Sequence, residues 1–426
     1  MTQKYFSTIR SGLSLIKYNK LISSQASVFN CKRAIRSRAF ATKPEELLEE
    51  EKLPFYKPDQ FYPVHIGELL NSRYRVVGKL RYGSYSTVWL CHEKSEQRYV
   101  AVKILTKNHS SKTLSGELRI YSHLSKINSS HIGGSYIRGL YDTFDITTPD
   151  GTYPCLAHPP MHMSLHKLRL LSSSRRLSEF LLKETLKCIL QALDFLHREA
   201  SIVHTDIKPS NIMLSIDDPS ILTDFEISEQ QTPTLKKTID STRSIYTSRK
   251  LRLPRDMLWG QPVLCDLGQA RIGPSHQGII QPNIYKAPEV LFDMEWGYSA
   301  DIWNLGVMIW DLLENKHLFN ALDEDGDYSP SHHVAEMVGF LGLPPSSFIE
   351  RSRETRNVFT DDGKWLAAGG VTIPATSLEE IEENLSAKNQ ELFLQFIRSM
   401  LQWDPERRKT ARGLLDDPWL NSTSHS

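Results

Sequence analysis

The chain has 426 residues, of which 40% are hydrophobic and 24% charged, an ordinary globular composition that allows two or three domains or lobes. Its apolar runs are far shorter than the about 20 residues of a membrane-spanning helix, and its five dispersed cysteines form no CxxC pair, which argues against a disulfide framework or zinc site. Residues 1–44 hold nine Lys or Arg and no acid, so the other 42 basic and 50 acidic residues give residues 45–426 a net charge of −8, which favours basic partners.

The N-terminal residues 1–44 form a basic segment that is rich in Ser, Lys and Arg. The stretch YFSTIRSGLSLIKYNKLI can form a basic amphipathic helix, as mitochondrial transit peptides do. A disordered basic tail, or a misassigned start of translation, is the alternative interpretation. Residues 45–73 contain prolines and are interpreted as a linker.

The next part of the chain changes from β-type to helical patterning. From Tyr74 to about Lys103, short runs rich in β-branched and aromatic residues predict β-strands. From about Leu165 onward the apolar spacing is mostly helical, most clearly in Ser178–Ala200. A small β-rich part followed by a larger α-rich part predicts an α+β protein with two lobes and a cleft between them. Further helices are predicted at Ala300–Leu313, Ser331–Leu341, Gln390–Leu401 and Ala411–Leu415.

Residues 215–260 look like an insertion into the helical part. They are polar, with clusters such as SEQQTPTLKKTIDSTRS, and have weak periodicity. The pattern predicts a surface loop that is partly ordered at most. A spacer is the simplest role for such a loop, and regulation or docking is the alternative.

Two features of the β-type region could bind phosphate groups. In KLRYGSYSTVWL (Lys79–Leu90), a turn that contains Gly83 would let backbone N–H groups approach phosphates, although a hairpin with one glycine is usually only a hairpin. The strand VAVK ends at Lys103, and Glu117 follows fourteen residues later on a predicted helix. The lysine is either a solvated edge residue or the partner of this carboxylate.

Two later stretches carry the residues for a phosphoryl transfer. In HTDIKPSN, Asp206 could accept a hydroxyl proton and Lys208 could balance charge on a moving phosphoryl group. Asn211, and Asp266 in VLCDLG, could hold a divalent cation through their oxygen atoms. Each residue alone has a structural alternative, such as a helix cap or a turn, but their order along the chain favours the chemical interpretation.

With these motifs in this order, the chain resembles a eukaryotic protein kinase over roughly residues 74–420. The resemblance also includes APE (Ala287–Glu289), DIWNLG (Asp301–Gly306) and DPERR (Asp404–Arg408). HTDIKP, DLG, Ser86 in STVWL, and the long insert resemble the SR-protein kinase branch, especially its divergent fungal members.

The resemblance implies a two-lobed kinase fold, with an N-lobe at 74–157, a C-lobe at 162–420 and a tail at 421–426. It implies a serine/threonine protein kinase that uses ATP and Mg²⁺ on basic or Arg/Ser-rich proteins, acts as a monomer, and binds no nucleic acid directly and no membrane. The alternatives are a weakly active pseudokinase scaffold and, less consistent with the motifs, a small-molecule kinase. The family suggests cytoplasm or nucleus, whereas residues 1–44 suggest mitochondria, so localisation stays open.

The resemblance also assigns roles to individual residues. Lys103 would hold the α- and β-phosphates and pair with Glu117, Asp206 and Lys208 would be catalytic, and Asn211 and Asp266 would bind Mg²⁺. Additional nucleotide-binding positions are Leu80, Arg81, Tyr82, Gly83, Ser84, Val88, Ala101, Pro159 and Met161, and structural positions are Glu289, Asp301 and Arg408.

Several positions depart from the family pattern. Arg81 and Ser86 replace two glycines of the phosphate loop, which predicts slower or altered nucleotide handling. In LAHPPM (Leu156–Met161), His158 takes the gatekeeper position, and adenine would bind the C=O of Pro159 and the N–H of Met161. A buried neutral His158 is expected, with a pH effect as the alternative.

Two more sequence features bear on regulation and on the substrate. Thr205 replaces an arginine that phosphorylated activation loops neutralise, which predicts activity without such phosphorylation. The acidic stretch LEEIEENL (Leu378–Leu385) agrees with a basic substrate, although an acidic helix surface is more often simply solvated.

Overall fold

The computed structural model describes residues 46–107, 111–255 and 259–422, so the predicted transit segment lies outside the described residues. The N-terminal part of the described chain is an antiparallel sheet with strand order β1-β2-β3-β4-β6-β5. Short two-stranded ladders join β7 to β12, β8 to β11 and β9 to β10. The strands are β1 (Leu69–Leu70), β2 (Tyr74–Gly83), β3 (Ser86–Glu93), β4 (Arg98–Leu105), β5 (Asp142–Thr148), β6 (Gly151–His158), β7 (Ile202–Val203), β8 (Ile212–Leu214), β9 (Lys236–Thr238), β10 (Ser244–Tyr246), β11 (Pro262–Leu264) and β12 (Arg271–Ile272).

The rest of the described chain is mainly helical and contains the largest apolar core. None of its described helices is long and apolar enough to cross a membrane. The prediction of an α+β protein with a β-rich part followed by a helical part is confirmed. The helices are α1 (Ser111–Leu124), α2 (Leu165–Arg169), α3 (Glu179–Asp194), α4 (Ser220–Gln231), α5 (Pro288–Leu291), α6 (Tyr298–Glu314), α7 (Pro330–Leu341), α8 (Ser346–Ile349), α9 (Leu378–Ile381), α10 (Ala387–Met400), α11 (Ala411–Leu415) and α12 (Pro418–Asn421).

The helices predicted from periodicity lie close to the observed ones. Helix α3 begins after Ser178, whose hydroxyl accepts from the N–H of Leu181 and so caps the helix. Helix α6 is buried along nearly its whole length, which its continuous apolar sequence requires. It ends at Asn315, which adopts the left-handed conformation that commonly stops helices.

The sheet has two differently used faces because successive side chains in a strand point to opposite sides. Trp89 and Val102 face one side and pack into a small-lobe apolar core. Val88 pairs with Lys103 across β3 and β4, and Ala101 is two residues before Lys103. Val88, Ala101 and Lys103 therefore share the other face, which borders the cleft.

The expectation of a loosely ordered insert is wrong. Residues 215–260 leave the end of β8 and return to β11, and these two strands pair as a hairpin. Between them lie helix α4 and the β9–β10 hairpin. Phe225 of α4 packs with Leu90 on one face of the sheet, while Tyr246 packs edge-on against Trp89 on the other. Weak periodicity hid this order because the segment buries scattered residues against another lobe.

Residues 45–73 are also more than a linker where the structure describes them. Glu50 is buried and forms an ion pair with Lys79 of β2, whose side chain is fully buried. The ammonium of Lys79 also donates to the backbone oxygen of Tyr246 at 3.0 Å. The N-terminal segment, strand β2 and the insert therefore meet at one buried cation, whose burial would be costly without both partners.

Candidate active site

A lysine and a glutamate from different elements form an ion pair on the cleft face. Lys103 lies on the central strand β4, between β3 and β6. Its Nζ lies 3.3 Å from Oε2 of Glu117 on helix α1, and the glutamate side chain is nearly buried. The structure therefore brings together Lys103 and Glu117, the carboxylate suggested from sequence as its partner, because α1 packs against the sheet.

Hydrogen bonds to Asp301 position the loop that carries the predicted catalytic residues. This carboxylate lies in the first turn of α6 and is fully buried. It accepts hydrogen bonds from the backbone N–H groups of His204 and Thr205, both at 2.7 Å, and it contacts the ring of His197 at 2.9 Å. Thr205 has φ 72°, a costly conformation for a threonine that these bonds maintain.

Asp206, Lys208 and Asn211 form a compact polar group after this brace. The carboxylate of Asp206 lies 2.8 Å from Nζ of Lys208. The amide of Asn211 donates to the Asp206 carboxylate at 2.8 Å and to its backbone oxygen at 3.0 Å. One oxygen of Asp206 is thus fixed in direction, as a proton acceptor must be before a hydroxyl approaches it.

Asp266 approaches this group from the loop after β11. Its φ is 67°, in the left-handed region. Burial alone would raise the pKa of its carboxyl, but Lys103 and His204 outweigh burial, and with help from Lys208 the pKa lies below its usual value. The Asp266 carboxylate thus lies between the ammonium groups of Lys103 in the small lobe and Lys208 in the large lobe. A cation bound to this carboxylate could bridge nucleotide phosphates.

The donor set fits a magnesium ion. Mg²⁺ prefers a few protein oxygen ligands beside water and phosphate oxygens. Because the NH₂ group of Asn211 points to Asp206, its amide oxygen is left to ligate. Asn211 and Asp266 are neighbours across the β8–β11 hairpin, since the N–H of Cys265 donates to the backbone oxygen of Asn211 at 2.8 Å.

The predicted phosphate loop is the turn between β2 and β3. Gly83 pairs with Ser86 at the end of the hairpin. No described atom lies within 4 Å of the position that a Cβ on Gly83 would take. The protein itself therefore does not demand a glycine there, which is consistent with a ligand as the reason. Tyr82 and Ser84 are exposed in the same turn, and Leu80 is partly buried before it.

We use the name base slot for the part of the cleft that Val88 and Ala101 border from the sheet. Its other wall is an apolar cluster from the hinge and the β8–β11 hairpin, made of Met161, Met213, Val263 and Cys265. Arg81 reaches this wall, with its Nη1 3.5 Å from the sulfur of Met213. The arginine that replaces a loop glycine therefore crosses the slot.

The hinge is the part of the site where the geometry departs most from expectation. The carbonyl oxygen of Pro159 accepts a hydrogen bond at 3.1 Å from the guanidinium of Arg138, a buried residue. His158 is buried, its Nδ1 contacts the oxygen of Gly139 at 2.9 Å, and burial holds its pKa well below the usual value. His158 is therefore neutral, whereas the acceptor expected to meet adenine already has a partner.

The structural residues pair as the motifs suggest. Glu289 and Arg408 form a bidentate ion pair, with N–O distances of 2.6 and 2.7 Å. Both side chains are buried, and the guanidinium also donates to the backbone oxygens of Ser299 and Gln402. The pair joins the segment after the activation loop to the C-terminal helices.

The sequence motifs did not indicate Arg138, Met213 or the role of His204. His204 links the two loops, because its Nε2 lies 3.1 Å from the backbone oxygen of Cys265. A signal for Arg138 did exist, since it is a lone cation in the segment YIRGLY just before strand β5. Its position in the slot, however, depends on the path of the chain between α1 and β5.

Comparison with known proteins agrees with this geometry. Residues 74–250 and 258–420 match the protein kinase domain family. This match covers most of the chain, and the chain belongs to the protein kinase domain family.

Relatives of the chain lie in the serine/threonine branch. A protein of Aspergillus fumigatus named a serine/threonine protein kinase is 40% identical over 88% of this chain and 91% of its own length. A protein of Physarum polycephalum named serine/threonine-protein kinase SRPK is 29% identical over 87% of this chain and 91% of its own length. The SR-protein kinase resemblance is thus supported by relatives of lower identity.

A solved structure shows the same fold. The crystal structure of a kinase domain superposes with a TM-score of 0.64 at 24% identity, and the match covers 86% of this chain and all of that one. The predicted two-lobed protein kinase fold is confirmed.

Proposed function

We propose that the protein is a serine/threonine protein kinase that transfers the γ-phosphate of ATP, with Mg²⁺, to serine or threonine hydroxyls of proteins. The observation that carries the proposal is that an oxygen of Asp266 and the Glu117 oxygen that pairs with Lys103 both lie within 4 Å of the position that a Cβ on Gly268 would take. These charges come from different lobes and meet at one place in the cleft. The names of the relatives support the serine/threonine class.

In this proposal each residue has one task. The substrate hydroxyl oxygen bonds to the γ-phosphorus while its proton passes to Asp206, the bond from that phosphorus to the β–γ bridging oxygen breaks, and ADP leaves. Lys208, 2.8 Å from Asp206, reduces the negative charge that develops on the phosphoryl group. Lys103, oriented by Glu117, holds the α- and β-phosphates. Asn211 and Asp266 would hold Mg²⁺, which neutralises phosphate charge when bound.

The substrate class is proposed to be basic, and Arg/Ser-rich proteins are the leading candidates because of the SRPK relative. The acidic stretch Leu378–Leu385 supports a basic substrate less strongly than its sequence suggested. Glu379 pairs with Arg398 at 2.7 Å, Glu383 pairs with Lys316 at 2.7 Å, and Glu382 is buried. These carboxylates are already engaged within the protein.

A different segment offers charge to a basic peptide. The loop between α6 and α7 contains DEDGD (Asp323–Asp327), and Glu324, Asp325 and Asp327 are exposed. Among the described residues these carboxylates form no ion pair. Such a cluster raises the local concentration of cations and favours basic substrates through long-range attraction.

The test is transfer of labelled phosphate from ATP to an Arg/Ser-rich peptide, an acidic peptide and a neutral one. We expect the Arg/Ser-rich peptide to react fastest, and Asp206→Asn to abolish transfer while nucleotide binding persists. Arg398→Gln, which changes a partly exposed side chain on helix α10, is the matched control and should keep full activity. Equal rates on all peptides would remove the basic-substrate proposal.

A catalytically weak pseudokinase scaffold is the second candidate. The observation in its favour is that Arg81 and Arg138 both reach the base slot. Nucleotide binding without any Asp206-dependent transfer would favour the scaffold over the kinase.

A further inference from the structure

Arg138 is a buried cation with incomplete hydrogen bonding. Only 8% of its surface is exposed, and its Nε is buried without a hydrogen-bond partner in the structure. Among the described residues, no carboxylate lies within ion-pair distance of its guanidinium. Its guanidinium does donate to the oxygen of Pro159 at 3.1 Å. Burying a cation this way is costly unless a further acceptor satisfies it, so the site points to a ligand rich in acceptors.

The hinge edge of the base slot consequently offers donors. The backbone N–H of Met161 donates to no described group, so it is available to a base. The carbonyl of Pro159, which would accept from a base, already accepts from Arg138, so the guanidinium competes with a base for this oxygen. A purine that enters the slot thus meets the Met161 N–H group and a guanidinium beside the carbonyl.

Purines differ in what they present to such an edge. Adenine carries an amino donor at position 6, which would face the guanidinium of Arg138 as donor against donor. A 6-oxopurine carries an acceptor oxygen there, next to the acceptor N7. Arginine binds this pair of acceptors with both arms of its planar fork, the commonest specific contact between proteins and guanine.

A second guanidinium strengthens the same preference. Arg81 crosses the slot to Met213, and burial together with the charge of Arg138 lowers the pKa of Arg81. Two cations that disfavour each other therefore lie at one slot. An electron-rich base with its triphosphate relieves this repulsion, whereas an amino group directed at them does not.

We propose that Arg138 is a base-recognition residue, which makes the cleft accept a 6-oxopurine nucleoside triphosphate, GTP, at least as well as ATP. The inference rests on the proposed function and widens its phosphoryl donor. The reaction is unchanged. The hydroxyl oxygen bonds to the γ-phosphorus, the bond from that phosphorus to the β–γ bridging oxygen breaks, GDP leaves, and the hydroxyl proton passes to Asp206.

The experiment compares ATP, GTP and ITP in two assays on the full chain. Displacement of a fluorescent nucleotide gives the Kd of each, and phosphate transfer gives kcat/KM. We expect GTP and ITP each to match or exceed ATP in both assays. Arg138→Val should lower the GTP-to-ATP ratio by about tenfold or more, since one bidentate contact is lost. Arg138→Lys, which keeps charge but not the fork, should give an intermediate ratio.

Controls keep the outcomes distinct. Arg398→Gln should leave the ratio unchanged, and thermal unfolding will show whether the Arg138 variants are folded. An at least tenfold preference for ATP over both GTP and ITP in the unchanged protein would overturn the proposal. So would a ratio in Arg138→Val within twofold of the original, or acceptance of GTP but not ITP.

The two proposals can fail separately. If GTP and ITP bind at least as tightly as ATP but no nucleotide supports phosphate transfer, the kinase proposal is overturned and base recognition by Arg138 is supported. Efficient transfer from ATP alone would have the opposite meaning.

Discussion

Glu226, in the insert of the large lobe, accepts a hydrogen bond at 2.6 Å from Arg75 on strand β2 of the small lobe. Its other carboxylate oxygen accepts from the hydroxyl of Tyr99 on β4, also at 2.6 Å. The contact connects residues 151 positions apart. It makes the insert a strap from the large lobe to the small-lobe sheet.

The first prediction concerns this contact. Glu226→Gln should lower the free energy of unfolding by about 1–3 kcal/mol at pH 7, because charge-assisted bonds to Arg75 and Tyr99 are weakened. Burial alone would raise the pKa of Glu226, but Tyr99 and Arg75 hold it below its usual value. The stabilisation is thus present above the unfolded-state pKa and is lost as pH falls through the folded one. Urea titrations at pH 7 and below pH 4.5, the usual pKa of a glutamate, would measure this. Replacing the exposed Gln231 with alanine is the near-neutral control.

The second prediction tests how tightly helix α4 packs on β2. A Cβ on Gly78 would lie 2.9 Å from a ring carbon of Phe225. Gly78→Ala should therefore cost about 1–3 kcal/mol, as overpacking does. In a Phe225→Leu background the extra cost should largely disappear, since the ring is gone. Equal costs in both backgrounds, measured by chemical denaturation, would show that the insert does not press on this strand.

The third prediction concerns the buried pair Glu289–Arg408. Glu289→Leu alone should cost about 3–5 kcal/mol, because it leaves an uncompensated buried guanidinium. Combining it with Arg408→Met should recover much of that loss, although the carbonyls of Ser299 and Gln402 lose their donor. The free energy of unfolding of the single and double variants decides the matter. A single variant that costs under about 1 kcal/mol would contradict the expected role.

The fourth prediction concerns His158. Since burial holds its pKa well below the usual 6.5, the unfolded chain binds the proton more strongly than the folded one. Stability should therefore fall as pH drops below about 6.5. His158→Phe should flatten that fall between pH 7.5 and pH 5, and it should leave the pH dependence of kcat/KM between pH 7 and 8 unchanged. A shift of that activity profile would instead indicate a titrating histidine in the site.

The fifth prediction concerns activation. Thr205 carries no charge that a phosphate must neutralise, and its hydroxyl donates directly to the backbone oxygen of Gln269 at 3.0 Å. Phosphatase treatment should therefore leave turnover within about twofold, with heat-inactivated phosphatase as the control. Thr205→Val, which removes this bond, should lower kcat more than phosphatase does. Abolished turnover after dephosphorylation would refute independence from activation-loop phosphorylation.

The candidate active-site residues could be proposed from sequence because their chemistry and order are local. Lys103 lies in strand β4 with Glu117 fourteen residues later, and Asp206 and Asn211 share one short loop, so their order along the chain suggested them as neighbours. Contacts that join distant segments were not accessible. Nothing near Glu226 predicts that it meets Arg75, and nothing near Arg138 predicts the carbonyl of Pro159. The stretch LEEIEENL was misleading for the same reason, because Arg398 and Lys316 neutralise two of its carboxylates from other elements.

The two ends of the insert connect motion of the small lobe to the candidate metal site. Asn211 stands directly before β8 and Asp266 shortly after β11, the strands between which the insert extends to the small lobe. A tilt of the small lobe should therefore pull at once on both loops that we propose to hold the metal ion. If the lobes open far enough to release the nucleoside diphosphate, the same movement should weaken binding of the metal ion. The diphosphate and the cation should therefore be released together.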